Sequence, residues 1–352
     1  MIISGTISPL KKDMVLLTNG FVNKSLFEVP EIALRVSDNN FHEKIKKLSY
    51  PHLYLLSVSS EKNNILYRKG DIFIDDSSNI VQVDLESQTE NIDGETYQEY
   101  KNRFLPFFIE EKNVIPTASI DGLVYEDVNF DEKLFQYTER YPDSYVALWA
   151  LIRATNIKGN ISAYERTLNT FNDEIKKSVL WINFRDEFSS IRIKDSQEFP
   201  ALVLKNIHLE AERFEIPTSK YVLVDYWFSR CKPCLESFPK LKEIYDTHRN
   251  SGFDIVAVSV DKTKDIPNWK KRITEHNLPW KQYLDEDGVE AKKDNITAFP
   301  NNFLLKDGKV IMRKLSPEEL EKFLEENGIL ETFKLKGIST FIVNLNPFRN
   351  TL

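Results

Sequence analysis

Cysteine is the scarcest feature of this chain. Only Cys231 and Cys234 occur in 352 residues, and a pair three positions apart cannot staple distant segments. A disulfide-scaffolded secreted fold is thereby excluded. The five histidines, His42, His52, His208, His248 and His276, stand in no ligand spacing with the cysteines, so no metal is expected. No run reaches the ~18–20 apolar residues of a membrane span, and no transmembrane segment is expected. A basic excess is missing too. Lys and Arg number 47 against 54 Asp and Glu, a formal net charge of −7, which argues against nucleic acid as a partner. The opening Met1-Ile2-Ile3-Ser4-Gly5 shows no basic n-region, apolar h-region or cleavage site. Two origins fit: a cytoplasmic protein, or a numbering that starts after a removed leader.

What the chain does contain is an ordinary folded composition, 41% hydrophobic and 29% charged. At about 150 residues per domain it is long enough for two or three domains. The first part, 1–92, reads as β. Apolar runs recur at Ile2 to Ile7, Met14 to Leu17, Leu53 to Val58, Ile65 to Tyr67, Ile72 to Ile74 and Ile80 to Val83. Turn clusters separate them, among them Ser37-Asp38-Asn39-Asn40 and Lys69-Gly70-Asp71. Short strands at this spacing predict an antiparallel sandwich or small barrel.

The period changes near Asp93. Tyr97, Tyr100, Phe104 and Phe107 share one helical face, and further helices are expected at Asp131 to Arg140, from Asp143-Ser144, at Ser162 to Phe171 and at Asp173 to Trp181. This all-helical segment spans 93–186, and its aromatic stripes read as core. From 187 to 333 strands and helices alternate, an α/β pattern that predicts a mixed sheet covered on both faces. Tyr221 to Tyr226 is an apolar strand with one acid, Asp225. Lys306-Asp307-Gly308 marks a hairpin, and Ser316-Pro317-Glu318-Glu319 a capping box. The extension 334–352 has no readable role, although Ile338 to Leu345 has strand character.

Cys231-Lys232-Pro233-Cys234 lies where the apolar strand gives way to a helix. A helix N-terminus carries unpaired N–H groups and about half a positive charge, which favours thiolate over thiol. Cys231 is expected at the exposed lip as nucleophile, and Cys234 one turn inside as the resolving thiol. Arg230 and Lys232 flank the nucleophile and add positive charge. Asp225, if buried, would have a raised pKa suited to taking or giving the proton of Cys234. The bland readings are a structural disulfide, half a zinc site or an inert core pair. A loop this short removes little chain entropy when closed, the zinc ligands are missing, and Pro233 at a strand-to-helix junction disfavours the third.

The stretch Val222-Leu223-Val224-Asp225-Tyr226-Trp227-Phe228-Ser229-Arg230-Cys231-Lys232-Pro233-Cys234 resembles the active-site segment of thioredoxin-like proteins. Glu236, Phe238 and Pro239 extend the likeness to TlpA-like thiol–disulfide oxidoreductases. Val258-Ser259-Val260-Asp261, Trp269, Trp280 and the run from Phe299-Pro300 to Ile311 follow in that family's order. The likeness runs from about Phe199 to Asn327. It implies Cys231, Cys234 and Asp225 as the catalytic set. It also implies a cis-proline at Pro300, and a partner-binding surface of Trp227, Arg230, Lys232, Pro233, Phe299 and Pro300. The redox-active pair needs no further cofactor. Arg230 departs from the aromatic residue usual before the first cysteine, and Ser237 from an acid that some relatives carry.

More loosely, Ile3-Ser4-Gly5-Thr6-Ile7 and Lys69-Gly70-Asp71-Ile72-Phe73-Ile74 resemble the β domain of unknown function that precedes many such envelope proteins. Tyr141-Pro142-Asp143-Ser144 is similar to their helical linker. The resemblance therefore implies a thiol–disulfide oxidoreductase of the periplasm or cell envelope. Its partners would be cysteine-containing envelope proteins and an upstream thiol reductase or oxidase. The alternative is a partner-binding envelope protein whose redox pair is regulatory or vestigial.

Overall fold

The computed structural model describes residues 1–328 except 11, 21, 61–64, 79, 88, 110–118, 128 and 160. The extension 334–352, with the strand expected at Ile338 to Leu345, lies outside the described residues. Eight strands build the first sheet: β1 (Ile2–Ser8), β2 (Lys12–Thr18), β3 (Glu31–Ser37), β4 (Asn40–Lys44), β5 (His52–Ser60), β6 (Ile65–Ile74), β7 (Ile80–Asp84) and β8 (Thr89–Ile92). Their order is β6-β5-β2-β3-β4-β1-β7-β8. The expected antiparallel β layer is present, with one parallel pair in it, β1 and β7. A parallel pair needs a long crossover, and here strands β2 to β6 supply it. Local periodicity carries no trace of so distant a pairing.

Turn chemistry explains the local geometry. Asp38 (φ 47) and Asn39 (φ 65) form the two-residue loop between β3 and β4, where both central residues need positive φ. Lys69-Gly70-Asp71, expected as a turn, instead lies inside β6. The partner strand shifts register between Tyr54 and Leu56, and Asp71 takes φ 63. The turn-forming residues serve a bulge and not a reversal.

The helices are α1 (Glu95–Glu99), continued by a π-helical turn into α2 (Leu105–Phe108), then α3 (Ile120–Glu126), α4 (Phe130–Arg140), α5 (Tyr145–Lys158), α6 (Ser162–Thr170), α7 (Asp173–Lys177) and α8 (Val179–Ser190). The single helix expected over Asp173 to Trp181 is divided at Ser178. Its hydroxyl accepts from the Trp181 N–H at 3.2 Å and so caps a new helix. Every residue of α5 from Val146 to Ile152 is buried, as a helix at the centre of a core requires. Trp149 of α5 meets the Phe27 ring at 4.9 Å and donates its indole N–H to the Pro51 carbonyl at 2.8 Å. Sheet and helices thus share one apolar core, which runs across position 92/93.

The rest of the chain is the expected α/β unit. It comprises β9 (Val203–Lys205), β10 (Ala211–Arg213), β11 (Tyr221–Trp227), α9 (Lys232–His248), β12 (Phe253–Ser259), α10 (Ile266–Glu275), β13 (Lys281–Leu284), α11 (Val289–Lys293), β14 (Asn301–Lys306), β15 (Lys309–Arg313) and α12 (Pro317–Glu326). The sheet order is β10-β9-β13-β12-β11-β14-β15. The strands β9, β10 and β13 and the helix α11 are additional to the elements expected, being only three to five residues long. β11 lies between parallel β12 and antiparallel β14. The capping box is present, with Ser316 N–H donating to Glu319 at 2.8 Å and Glu319 N–H to Ser316 at 3.2 Å. Asn295 of this unit donates to Asn156 of α5 at 2.8 Å, tying the two units together.

A shared core has a measurable consequence. Trp149→Ala should cost about 3–5 kcal/mol, the usual loss for a large buried aromatic. Sheet and helices should then lose structure together in one shifted transition. Far-UV circular dichroism with site-resolved hydrogen exchange would show this, and loss confined to α5 would contradict it.

Candidate redox site

β11 delivers the site because it is the most deeply covered strand of the second sheet, buried at all seven positions. Alternate side chains face opposite ways. Tyr221, Leu223 and Trp227 join the apolar cluster that holds both cysteines, and Val222, Val224 and Tyr226 join the opposite one. Asp225 shares the first face by the same alternation. The strand ends at Trp227 and α9 begins at Lys232, with Cys231 as its N-cap. Cys231 and Cys234 form a disulfide with Cα atoms 5.3 Å apart. The Cys234 N–H donates to the Cys231 sulfur at 3.3 Å, so that sulfur occupies the capping position.

The exposed lip expected for Cys231 is not what the structure shows. Cys231 is 3% exposed and Cys234 1%, because the N-cap position turns the first sulfur into the cluster with Trp227, Phe238 and Leu241. Trp227 also departs from the partner-binding surface expected of it. It is fully buried, with its ring edge-on to Phe238 at 5.1 Å, and supports the site from within. The accessible rim consists of exposed Arg230, Lys232, Pro233 and Pro300 with half-buried Phe228 and Phe299. The Phe299–Pro300 peptide is cis, and the Phe228 and Phe299 rings meet edge to face at 5.5 Å.

The flanking cations do less than their positions in the sequence imply. Arg230 donates to the Asp265 carboxylate from Nε at 3.1 Å and Nη2 at 2.6 Å. Lys232 lies 3.6 Å from Glu236 and is 84% exposed. Each charge has its own carboxylate, and the lysine is screened by water as well. Cys231 itself caps the N-terminus of α9, where unpaired backbone N–H groups carry a partial positive charge.

Asp261 is the residue that sequence reasoning left without a role. It is buried and accepts from the Ser229 N–H at 2.8 Å and the Ser229 hydroxyl at 2.6 Å. It also accepts from the Ser259 hydroxyl at 2.6 Å. These bonds, with Cys231 N–H donating to the Phe228 carbonyl at 3.0 Å, fix the turn that presents the first cysteine. Its signals in the sequence are an acid just past a buried strand and its place in the run Val258-Ser259-Val260-Asp261.

Asp225 differs from Asp261 in its surroundings. Burial alone pushes its carboxyl up from an ordinary value of 3.8 to about 7. At neutral pH it can both hold and release a proton. An acid raised in this way weakens the fold once it must ionise. The penalty is absent below about pH 4, where both states are protonated, grows toward pH 7 and is complete above it. Asp225→Asn should therefore stabilise the oxidised protein at pH 8 by up to about 4 kcal/mol, from about 1.4 kcal/mol per pKa unit. The gain should vanish near pH 4. Denaturant unfolding at the two pH values tests this, and an equal effect at both would refute it.

Residues 219–310 match the family model described as thioredoxin-like. The chain is 29% identical over 137 residues to the thiol-disulfide oxidoreductase ResA of Bacillus thuringiensis subsp. konkukian, covering 38% of this chain and 76% of that protein. It is 25% identical over 152 residues to ResA of Oceanobacillus iheyensis, covering 41% and 77%. Among solved structures, the thioredoxin domain of a thiol-disulfide oxidoreductase from Bacteroides vulgatus is 29% identical. It covers 38% of this chain and 96% of that one, with a TM-score of 0.34. The α/β unit that holds Cys231 and Cys234 thus contains a thioredoxin-like domain, similar over this part of the chain to thiol–disulfide oxidoreductases.

Proposed function

We propose that this chain is a thiol–disulfide oxidoreductase and exchanges its Cys231–Cys234 couple with cysteines of other proteins in the cell envelope. Asp225 carries the proton of the resolving step. The observation that supports this most directly is an isolated carboxyl buried on the same strand face as the pair, with a pKa raised to about 7. In the reducing direction the Cys231 thiolate attacks one sulfur of a partner disulfide. A mixed disulfide forms and one partner thiolate leaves. The Asp225 carboxylate then accepts the Cys234 proton. The Cys234 thiolate attacks the Cys231 sulfur, closing the Cys231–Cys234 disulfide and releasing the second partner thiolate, which takes a proton from water. Run in reverse, the same steps oxidise a partner dithiol. An upstream thiol reductase or oxidase resets the couple.

The assignment of Cys231 as attacker follows from its place as N-cap, where a thiolate gains from the unpaired N–H groups of the first turn. Arg230, Lys232, Pro233, Phe299 and Pro300 then form the rim against which the partner backbone lies. An envelope location suits the chemistry, because stable disulfides form in oxidising compartments and seldom in the cytosol. The family resemblance favours the same location.

Trapping separates the roles. Cys234→Ser should accumulate a mixed disulfide through Cys231 with partners from an envelope extract, and Cys231→Ser should accumulate far less. Asp225→Asn should slow release of that mixed disulfide at pH 7 by about a hundredfold, the lower range for loss of a general base. The first attack should change little. Stopped-flow measurement of the two half-reactions decides it, and equal slowing of both would remove Asp225 from the proton path.

A further inference from the structure

The helical segment reaches the redox site. A cleft of about 450 Å³ opens between the two units, with Tyr125 of α3 and Ile157 of α5 on one wall and Phe228, Ala298 and Phe299 on the other. Two of those residues belong to the rim of the disulfide. Phe228 accepts the Cys231 N–H, and Phe299 immediately precedes Pro300. The cleft is thus continuous with the place where a partner cysteine must dock.

Its chemistry is mostly apolar. The one cation in its lining, Arg153, is held by Asp121 through Nε at 2.7 Å and through a second guanidinium nitrogen, so it presents a closed ion pair and no free charge. Tyr125 is 69% exposed at the mouth. An aromatic ring left in water beside a pocket is the type of residue that anchors a partner. The bond from Asn295 to Asn156 joins α5 to the segment leading to Phe299. A charged side chain placed between Ile157, Phe228 and Phe299 would lose water and find no counter-charge. An apolar one would gain by burial.

We propose that Tyr125 and Ile157 form the second wall of the partner groove and determine specificity. They select polypeptide segments with an apolar side chain next to the reactive cysteine. This rests on the exchange with protein cysteines proposed above. The occupant is a partner segment and not a free small molecule, because the cleft shares Phe228 and Phe299 with the rim that the partner sulfur must pass.

The test uses the reduced full chain and two peptides, each with one cysteine held in a mixed disulfide with glutathione. The peptides differ only in the residues beside the cysteine, leucine in one and aspartate in the other. Both are reduced as the Cys231–Cys234 dithiol becomes a disulfide, releasing peptide thiol and glutathione. The leucine peptide should react with a kcat/KM at least tenfold higher. Tyr125→Ala and Ile157→Asp should each cut that ratio at least threefold, chiefly through KM. Tyr125 is exposed, so its variant tests the wall even if Ile157→Asp folds poorly. Equal rates for the two peptides, or an unchanged ratio in Tyr125→Ala, would overturn the proposal. Failure to exchange with either peptide would overturn the exchange reading itself, and this one with it.

Discussion

The burial of β11 on both faces is the constraint on which the site depends. A strand between two neighbours and under two apolar layers cannot move its end, so α9 starts at a fixed point and Cys231 becomes its cap. The same burial leaves Asp225 without water, which raises its pKa. One packing fact therefore sets the position of Cys231 and the protonation of the acid. A carboxyl at the end of an exposed strand would have remained an ordinary carboxylate.

Around that strand the polar groups divide into two kinds. Asp261 is fully engaged by Ser229 and Ser259, and holds the turn before Cys231 rigid. Asp265 pairs with the Arg230 guanidinium. At Cys231 the first turn of α9 presents oriented backbone N–H groups. These do not reorganise when charge develops, whereas a long cationic side chain must be ordered first.

The helical segment links the two sheets. Its central helix α5 packs into the core of the first sheet through Trp149 and meets the second unit through Asn156. Residues two turns apart on one helix thus take part in the packing of the β layer and in the contact with the second unit. A change in the first unit that tilts α5 would move one wall of the cleft directly.

Sequence alone determined the elements with strong local signals. The Cys231–Cys234 pair at a strand-to-helix junction, the Asp38-Asn39 and Asp307-Gly308 turns, the Ser316 cap and the α5 start at Ser144 follow from dihedral preference and capping, which act over a few residues. The same local rules could not show which acid captures Arg230, since Asp265 is thirty-five positions away. Nor could they show that Trp227 is interior, that Cys231 is covered, or that Lys69-Gly70-Asp71 bends within a strand and does not reverse the chain. The parallel pairing of β1 with β7 and the placing of Tyr125 and Phe299 around one cleft depend on contacts between segments far apart in the chain. Such contacts are set by how whole apolar faces close on one another, and only the tertiary structure decides that.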